Sequence, residues 1–173
     1  ESMLGVNETF PEFVMNIVKP NGNQMTSITE EDLEGSWSVI YFYPKDFTFI
    51  CPTEIAEFDC IPEEDARVIG ISGDNEFCKV AWKESNAMIG DINHELGADC
   101  GLVLANDCGV IDHDEQVALR ATFILDENLT VKYAQANALD TGRNANEVLR
   151  TLHALKAGGL TGCSWNPGEE FVA

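Results

Sequence analysis

The stretch FYPKDFTFICPTE, Phe42 to Glu54, sets a cysteine at the joint between an apolar run and a Pro-Thr-Glu segment. Pro52 suits the first turn of a helix, because the N–H that proline lacks would go unpaired there anyway. Glu54 then suits the third helical position, which puts Cys51 near the N-cap. Free backbone N–H groups and the positive helix end favour a thiolate at that point, and a thiolate is the nucleophilic form of the residue. The competing reading, an inert buried thiol among aromatics, is common for a lone cysteine. The order strand, loop, Cys-Pro shifts the balance towards the nucleophile.

Other chemistries find less support. Six cysteines, at 51, 60, 78, 100, 108 and 163, show neither CxxC spacing nor paired zinc-ligand spacing. No GxSxG elbow, HExxH, phosphate-cradling loop or dinucleotide fingerprint occurs. His94, His113 and His153 are too scattered for a metal motif. A cysteine–histidine hydrolase would need one of them beside Cys51, which linear order does not supply.

The elements that must position these residues follow from hydrophobic period and turn chemistry. TFPEFVMNIVKPNGNQMT reads as a hairpin about Pro20-Asn21-Gly22, and SITEEDLEGS as a short helical turn stopped at Gly35. WSVIYFYP is too continuously apolar for a solvated face and reads as a central strand, as does ARVIGIS. A short amphipathic helix follows Cys51 to about Phe58, before Pro62. NEFCKVAWKESNAM has helical period, with Phe77, Val80 and Ala81 spaced for one face. IGDINHELGADCGLVLANDCGVID, interrupted by glycine, is expected to hold short helices and loops.

LRATFILDENLTVKYAQAN gives two strands about an Asp-Glu-Asn-Leu turn. NANEVLRTLHALKA gives a helix with Asn144 as cap and Glu147 in its first turn. Strands flanking helices imply one α/β domain, its sheet covered on both faces. Residues 1–158 are assigned to that domain and 159–173 to a mobile tail carrying Cys163.

Thirty acidic against ten basic residues give a net charge of -20 over 173 residues, which speaks against nucleic-acid or anionic-membrane partners. A solvated, soluble surface is the plain reading, and adaptation to high salt the sharper one. ESMLGVNE has no positive n-region or apolar h-region, and no apolar run reaches spanning length. A cytoplasmic protein is expected, with Met3 as its natural start after Glu1 and Ser2.

Pro44 to Cys51 carries the PxxxTxxC spacing of peroxiredoxins. With the Pro-Thr-Glu that follows, the chain resembles their typical two-cysteine, alkyl hydroperoxide reductase type. The similarity continues through Ala81-Trp82, LRATFILD (Leu119 to Asp126), GRNANEVLR (Gly142 to Arg150) and CSWNPG from Cys163, so it covers nearly the whole chain. It implies a thioredoxin-like fold: a central mixed sheet flanked by helices, with the hairpin as an N-terminal extension.

By the same resemblance Cys51 is the peroxidatic cysteine, becoming a sulfenic acid, and Cys163 is the resolving cysteine that forms a disulfide with it. Family members usually make that bond between the chains of a head-to-tail dimer, and five dimers often close into a decamer. Thr48 would hold the peroxide and support the thiolate, Pro44 would shield the pocket, and Arg120 would stabilise the developing charge. Glu54 would orient Arg120 and Arg143. Trp82 and Phe49 are left as packing residues or contacts between chains.

The implied substrates are hydrogen peroxide and organic hydroperoxides, with peroxynitrite by family analogy. The implied reductant is a thioredoxin, a flavoprotein or a dedicated disulfide reductase. No metal or bound cofactor is implied, since sulfur carries the redox change. Cys60 and Cys78 are expected as core thiols; Cys100 and Cys108 are open to a conditional disulfide but read first as inert.

The sequence also departs from the family pattern. IPEED is short, NHELGAD around His94 replaces the familiar proline-leucine-serine-aspartate segment, and neither a GGLG insertion nor a terminal tyrosine-phenylalanine helix is present. The last two differences lead to an expectation of resistance to overoxidation. A chaperone or scaffold ring and a general thiol-disulfide oxidoreductase are the other classes considered; the missing CxxC speaks against the second.

Overall fold

The computed structural model describes residues 2–173; Glu1, read as preceding the natural start, lies outside them. In β3 (Ser38–Phe42) all five residues are buried. Ile40 and Phe42 enter one core while Val39 and Tyr41 enter the other, the period-two alternation of a strand covered on both faces.

The strand lies between β4 (Arg67–Ser72), parallel to it, and β8 (Arg120–Leu125), antiparallel. Next to β4 runs β5 (Glu95–Ala98), parallel, to which the expected hairpin of β1 (Val14–Val18) and β2 (Met25–Thr29) attaches through β1. β9 (Val131–Asn137) pairs with β8. The order β2-β1-β5-β4-β3-β8-β9 makes one mixed seven-stranded sheet, with β2 and β9 at its edges. β6 (Ile111–Asp112) and β7 (Val117–Ala118) form a separate small pair.

One face of the sheet is covered by α1 (Cys51–Phe58), α2 (Glu76–Ser85), α3 (Ala87–Gly90) and α5 (Ala145–Ala157). These helices contribute Ile55, Phe58, Trp82, Ile89, Val148 and Leu152 to a core shared with Val39 and Tyr41. On the other face Phe10, Phe13, Leu33 of the 3-10 turn Glu30–Leu33, and Leu104 of α4 (Val103–Asp107) pack against Ile40 and Phe42. Among the described residues no helix is long and apolar enough to cross a membrane.

Three local expectations need correction. The inward face of α2 is Lys79, Trp82 and Lys83, while Phe77 is 65% exposed. The Lys79 ammonium is buried because Ser72 Oγ (2.6 Å), Tyr43 OH (3.0 Å) and Asp46 Oδ1 (3.2 Å) all accept from it. A satisfied buried cation thus overrides the apolar spacing. β5 falls within the segment expected to be loops and short helices; it is only four residues long, glycine-containing and held by partners on both sides.

The tail, expected to be mobile, is folded on itself and tied to α5 through Arg150. Trp165 is buried and stacked on Phe171 at 6.1 Å, its carbonyl accepts from Arg150 Nη1 at 2.8 Å, and Val172 N donates to the Leu160 carbonyl at 2.8 Å.

Candidate active site

The loop from β3 to α1 is pinned before it reaches the cysteine. Asp46 N donates to Asp74 Oδ2 at 2.7 Å, and the buried Asp46 carboxylate accepts from Tyr43 OH at 2.6 Å as well as from Lys79. Burial pushes the Lys79 ammonium below its ordinary value, with Asp46 opposing it. Phe47 then turns through φ 59°, an uncommon conformation for a bulky residue and one that concentrates at functional sites. Its ring lies 5.9 Å from Trp82, whereas Phe49 is 95% exposed.

Cys51 follows as the first residue of α1, with Ile50 as the N-cap. The cysteine therefore sits one position further into the helix than the proline spacing suggested, and it is fully buried. Arg120, at the start of β8, reaches it from the neighbouring strand: Nη1 lies 3.3 Å from Cys51 Sγ and 2.7 Å from Glu54 Oε1. The Arg120 Nε donates to the Leu139 carbonyl at 2.7 Å, which fixes the plane of the guanidinium.

Glu54, one helical turn after Cys51, is the hub. Its Oε2 accepts from Arg143 Nε (2.7 Å) and from the Arg143 backbone N–H (2.9 Å), while Arg143 Nη2 reaches Oε1 at 3.0 Å. Arg143 Nη1 continues to the Ala121 carbonyl at 2.7 Å. Burial works against the Glu54 carboxylate, but the hydrogen bonds and charge of Arg143, joined by Arg120, hold it below its usual 4.5. Burial likewise disfavours the Arg120 cation, and Cys51 and then Glu54 more than offset this, raising it above its ordinary value.

An arginine N–H held on sulfur by a carboxylate that is itself fixed bidentately by a second arginine is a fixed positive contact for an anion. It can stabilise a sulfur nucleophile and, in the same place, charge that develops on an attacked oxygen.

The structure brings Cys51, Glu54, Arg120 and Arg143 into one cluster, and places Pro44, half-buried, in the same loop. Thr48 stands in that loop as well, but its hydroxyl donates to the Lys45 carbonyl at 2.7 Å. Cys163 is exposed in the tail, near Ser164 Oγ at 3.8 Å, and all six thiols are free. Cys60 and Cys78, expected as core thiols, are half-buried; Cys100 is exposed and Cys108 buried. Burial pushes these four above the usual 9.0, Cys78 to about 11, which disfavours their reactive form.

Sequence reasoning missed two groups here: the Lys79–Asp46 ion pair under the loop, and His94. The latter, read as part of a polar segment, is buried between Tyr41 and Asp59. The departure of NHELGAD from the expected pattern was the available signal.

Comparison with known proteins gives the family and the fold. The model of the AhpC/TSA family matches residues 6–134. Alkyl hydroperoxide reductase C of Mycolicibacterium smegmatis is 38% identical over 99% of this chain and 94% of its own. The structure of Mycobacterium tuberculosis AhpC superposes with a TM-score of 0.85 at 34% identity, covering 95% of this chain and 100% of that one. The reduced 2-Cys peroxiredoxin of Plasmodium vivax gives 0.87 at 30% identity, covering 95% and 91%. The mixed sheet and its helices are accordingly a thioredoxin-like fold with a hairpin extension. A family match over most of the chain, and relatives that share both its length and its fold, lead to one conclusion: the chain belongs to the AhpC/TSA family and is a peroxiredoxin, a thiol peroxidase.

Proposed function

We propose that Cys51 is the peroxidatic cysteine and Cys163 the resolving cysteine of a two-cysteine peroxidase that reduces hydrogen peroxide and organic hydroperoxides. The observation that carries this reading is the Arg120 Nη1 contact to Cys51 Sγ at 3.3 Å, clamped by Glu54. Cys51 thiolate attacks the terminal peroxide oxygen and the O–O bond breaks. Sulfur keeps that oxygen as sulfenic acid, and the departing oxide takes a proton to leave as water or an alcohol.

Arg120 and the Cys51 backbone N–H steady charge on the two oxygens, with Thr48 turning its hydroxyl to the peroxide and Pro44 limiting water. The Cys163 thiol then displaces hydroxide from the sulfenic sulfur, giving a disulfide and water. A dithiol partner of the thioredoxin class, or a dedicated disulfide reductase, returns both thiols. No bound cofactor enters these steps.

Two features support a bond between two chains. The Cys51 sulfur is buried while Cys163 is exposed, and β9 is a sheet edge whose backbone beyond Val131, which bonds to Asn7 and Glu8, suits pairing with a second copy. A homodimer, with a decamer as its higher assembly, in the cytoplasm is the corresponding reading. Residues 159–173 are then the segment that delivers Cys163.

Stopped-flow consumption of hydrogen peroxide by the reduced protein tests the assignment. Wild type should react far faster than a free thiol and Cys51→Ser not at all, while Cys163→Ser keeps the first step. A Cys51→Ser variant as fast as wild type would move the chemistry to another thiol.

A further inference from the structure

A second polar chain, its His94 and Tyr41 buried, meets the Cys51 cluster at Arg143. Asp59, the C-cap of α1, lies 2.8 Å from His94 Nδ1, and His94 Nε2 lies 2.6 Å from Tyr41 OH. A carboxylate only accepts, so Nδ1 carries the proton, Nε2 offers its lone pair, and Tyr41 donates. The Tyr41 ring stacks on Phe58 at 4.0 Å. The Arg143 guanidinium carbon lies 5.3 Å from the Tyr41 ring centre and 5.4 Å from that of Phe58. Arg143 is therefore held by the Glu54 carboxylate and packs beside the stacked pair of rings.

The site is built rather than incidental. His94 is 5% exposed and Tyr41 fully buried. A Cβ on Gly70 would stand 2.3 Å from the Tyr41 hydroxyl oxygen, so β4 leaves out a side chain where the phenol needs room. The bond to His94 also fixes the Tyr41 ring, and with it the wall of the stack against which the guanidinium rests.

We propose that Asp59, His94 and Tyr41 form a hydrogen-bonded relay that positions Arg143 and, through Glu54 and Arg120, sets the reactivity of Cys51. His94 and Tyr41 are positioning residues, neither touching the peroxide. The inference rests on the reading of Cys51 as the peroxide-reactive thiol.

Protonation of His94 in acid would turn Nε2 from acceptor to donor and reverse the bond from Tyr41. The groups bonded to its ring are Asp59 at the end of α1 and Tyr41 of β3, and the charges acting on it from packed elements are Lys83 of α2 and Glu95 of β5, which is itself paired with Arg67.

The test measures the second-order rate of the reduced protein with hydrogen peroxide across about pH 5 to 8, with thermal unfolding of every variant alongside. Tyr41→Phe keeps the ring and removes the bond; its rate should fall about two- to threefold near neutral pH, a fraction of a cation–π contact, since the ring itself remains beside Arg143. The deficit should shrink in acid, where the bond in wild type is reversed and the phenol no longer donates to His94. His94→Gln, whose amide oxygen can replace the Nε2 acceptor, should recover most of the rate, and His94→Asn, which cannot reach Tyr41, should not.

The double variant Tyr41→Phe/His94→Phe restores apolar packing without the relay, so it should be stably folded and still slow. A wild-type rate and pH profile in that double variant, beside a slow Arg120→Lys, would overturn the inference and leave the site reading intact. A slow wild type would instead remove the site reading on which it rests.

Discussion

Glu54 binds two arginines with two oxygens, and this sets what its substitution does. Its carboxyl titrates below its usual 4.5 in the folded chain, so on acidification the unfolded chain takes up the proton first. The stabilisation is complete above the unfolded value and is lost as pH falls through the folded one. Glu54→Gln should remove this part of the acid sensitivity. Near neutral pH it should also cost about 3–5 kcal/mol, because two largely buried cations lose their carboxylate. Urea unfolding of both proteins at pH 7 and pH 4 checks this: the gap should narrow at the lower pH, and a constant gap would contradict it.

Cys51, Glu54, Arg120 and Arg143 were legible in sequence because a helix-start pattern and family motifs name them one by one. Tyr41 with His94, and Lys79 with Asp46, were not. Each pair consists of ordinary residue types whose meaning depends on burial, and only the assembled sheet brings them together.

The helices and strands hold these side chains by their ends. α5 begins immediately after Arg143: the Asn144 side chain caps it by accepting from Glu147 N at 3.1 Å, and Gly158 in the left-handed region (φ 77°) closes it. Asn144→Ala should destabilise the protein by about 1 kcal/mol, the usual cost of a lost N-cap. Because the Arg143 backbone N–H bonds to Glu54, the same change should slow the peroxide reaction modestly, to be read by denaturant unfolding and stopped-flow kinetics on one sample. α1 poses the opposite demand. The Cys51 sulfur is buried in its first turn, so on the proposed two-chain resolution that turn would have to unwind before the thiol of another chain could meet it.

The long apolar strands, α1 and α5 were readable from period and caps. β5 was not, since four residues with a glycine carry little periodicity, and its place comes from Ile69 to Ser72 and Asn16 to Val18 on either side. The α2 register escapes the same reading because a satisfied buried lysine looks, in sequence, like a surface charge.

A net charge of -20 on 173 residues leaves the whole molecule repelling itself. Salt screens that repulsion, with a Debye length of about 10 Å at 0.1 M shrinking to about 3 Å at 1 M. The melting temperature should therefore rise with sodium chloride over that range. A gain of 1 kcal/mol corresponds to about 2–4 °C for a chain of this size, and a flat or falling curve would show that specific ion pairs outweigh the general repulsion.

Assembly belongs to the same level, because the proposed disulfide would join the buried Cys51 of one chain to the exposed Cys163 of another. The most direct test is to add one equivalent of hydrogen peroxide to the fully reduced protein, separate it on a non-reducing denaturing gel, and map the linked peptides by mass spectrometry. A two-chain band containing a Cys51–Cys163 disulfide, absent from either cysteine-to-serine variant, is the expected result. Peroxide consumed while Cys51 stays an unmodified thiol would contradict the assignment at its root.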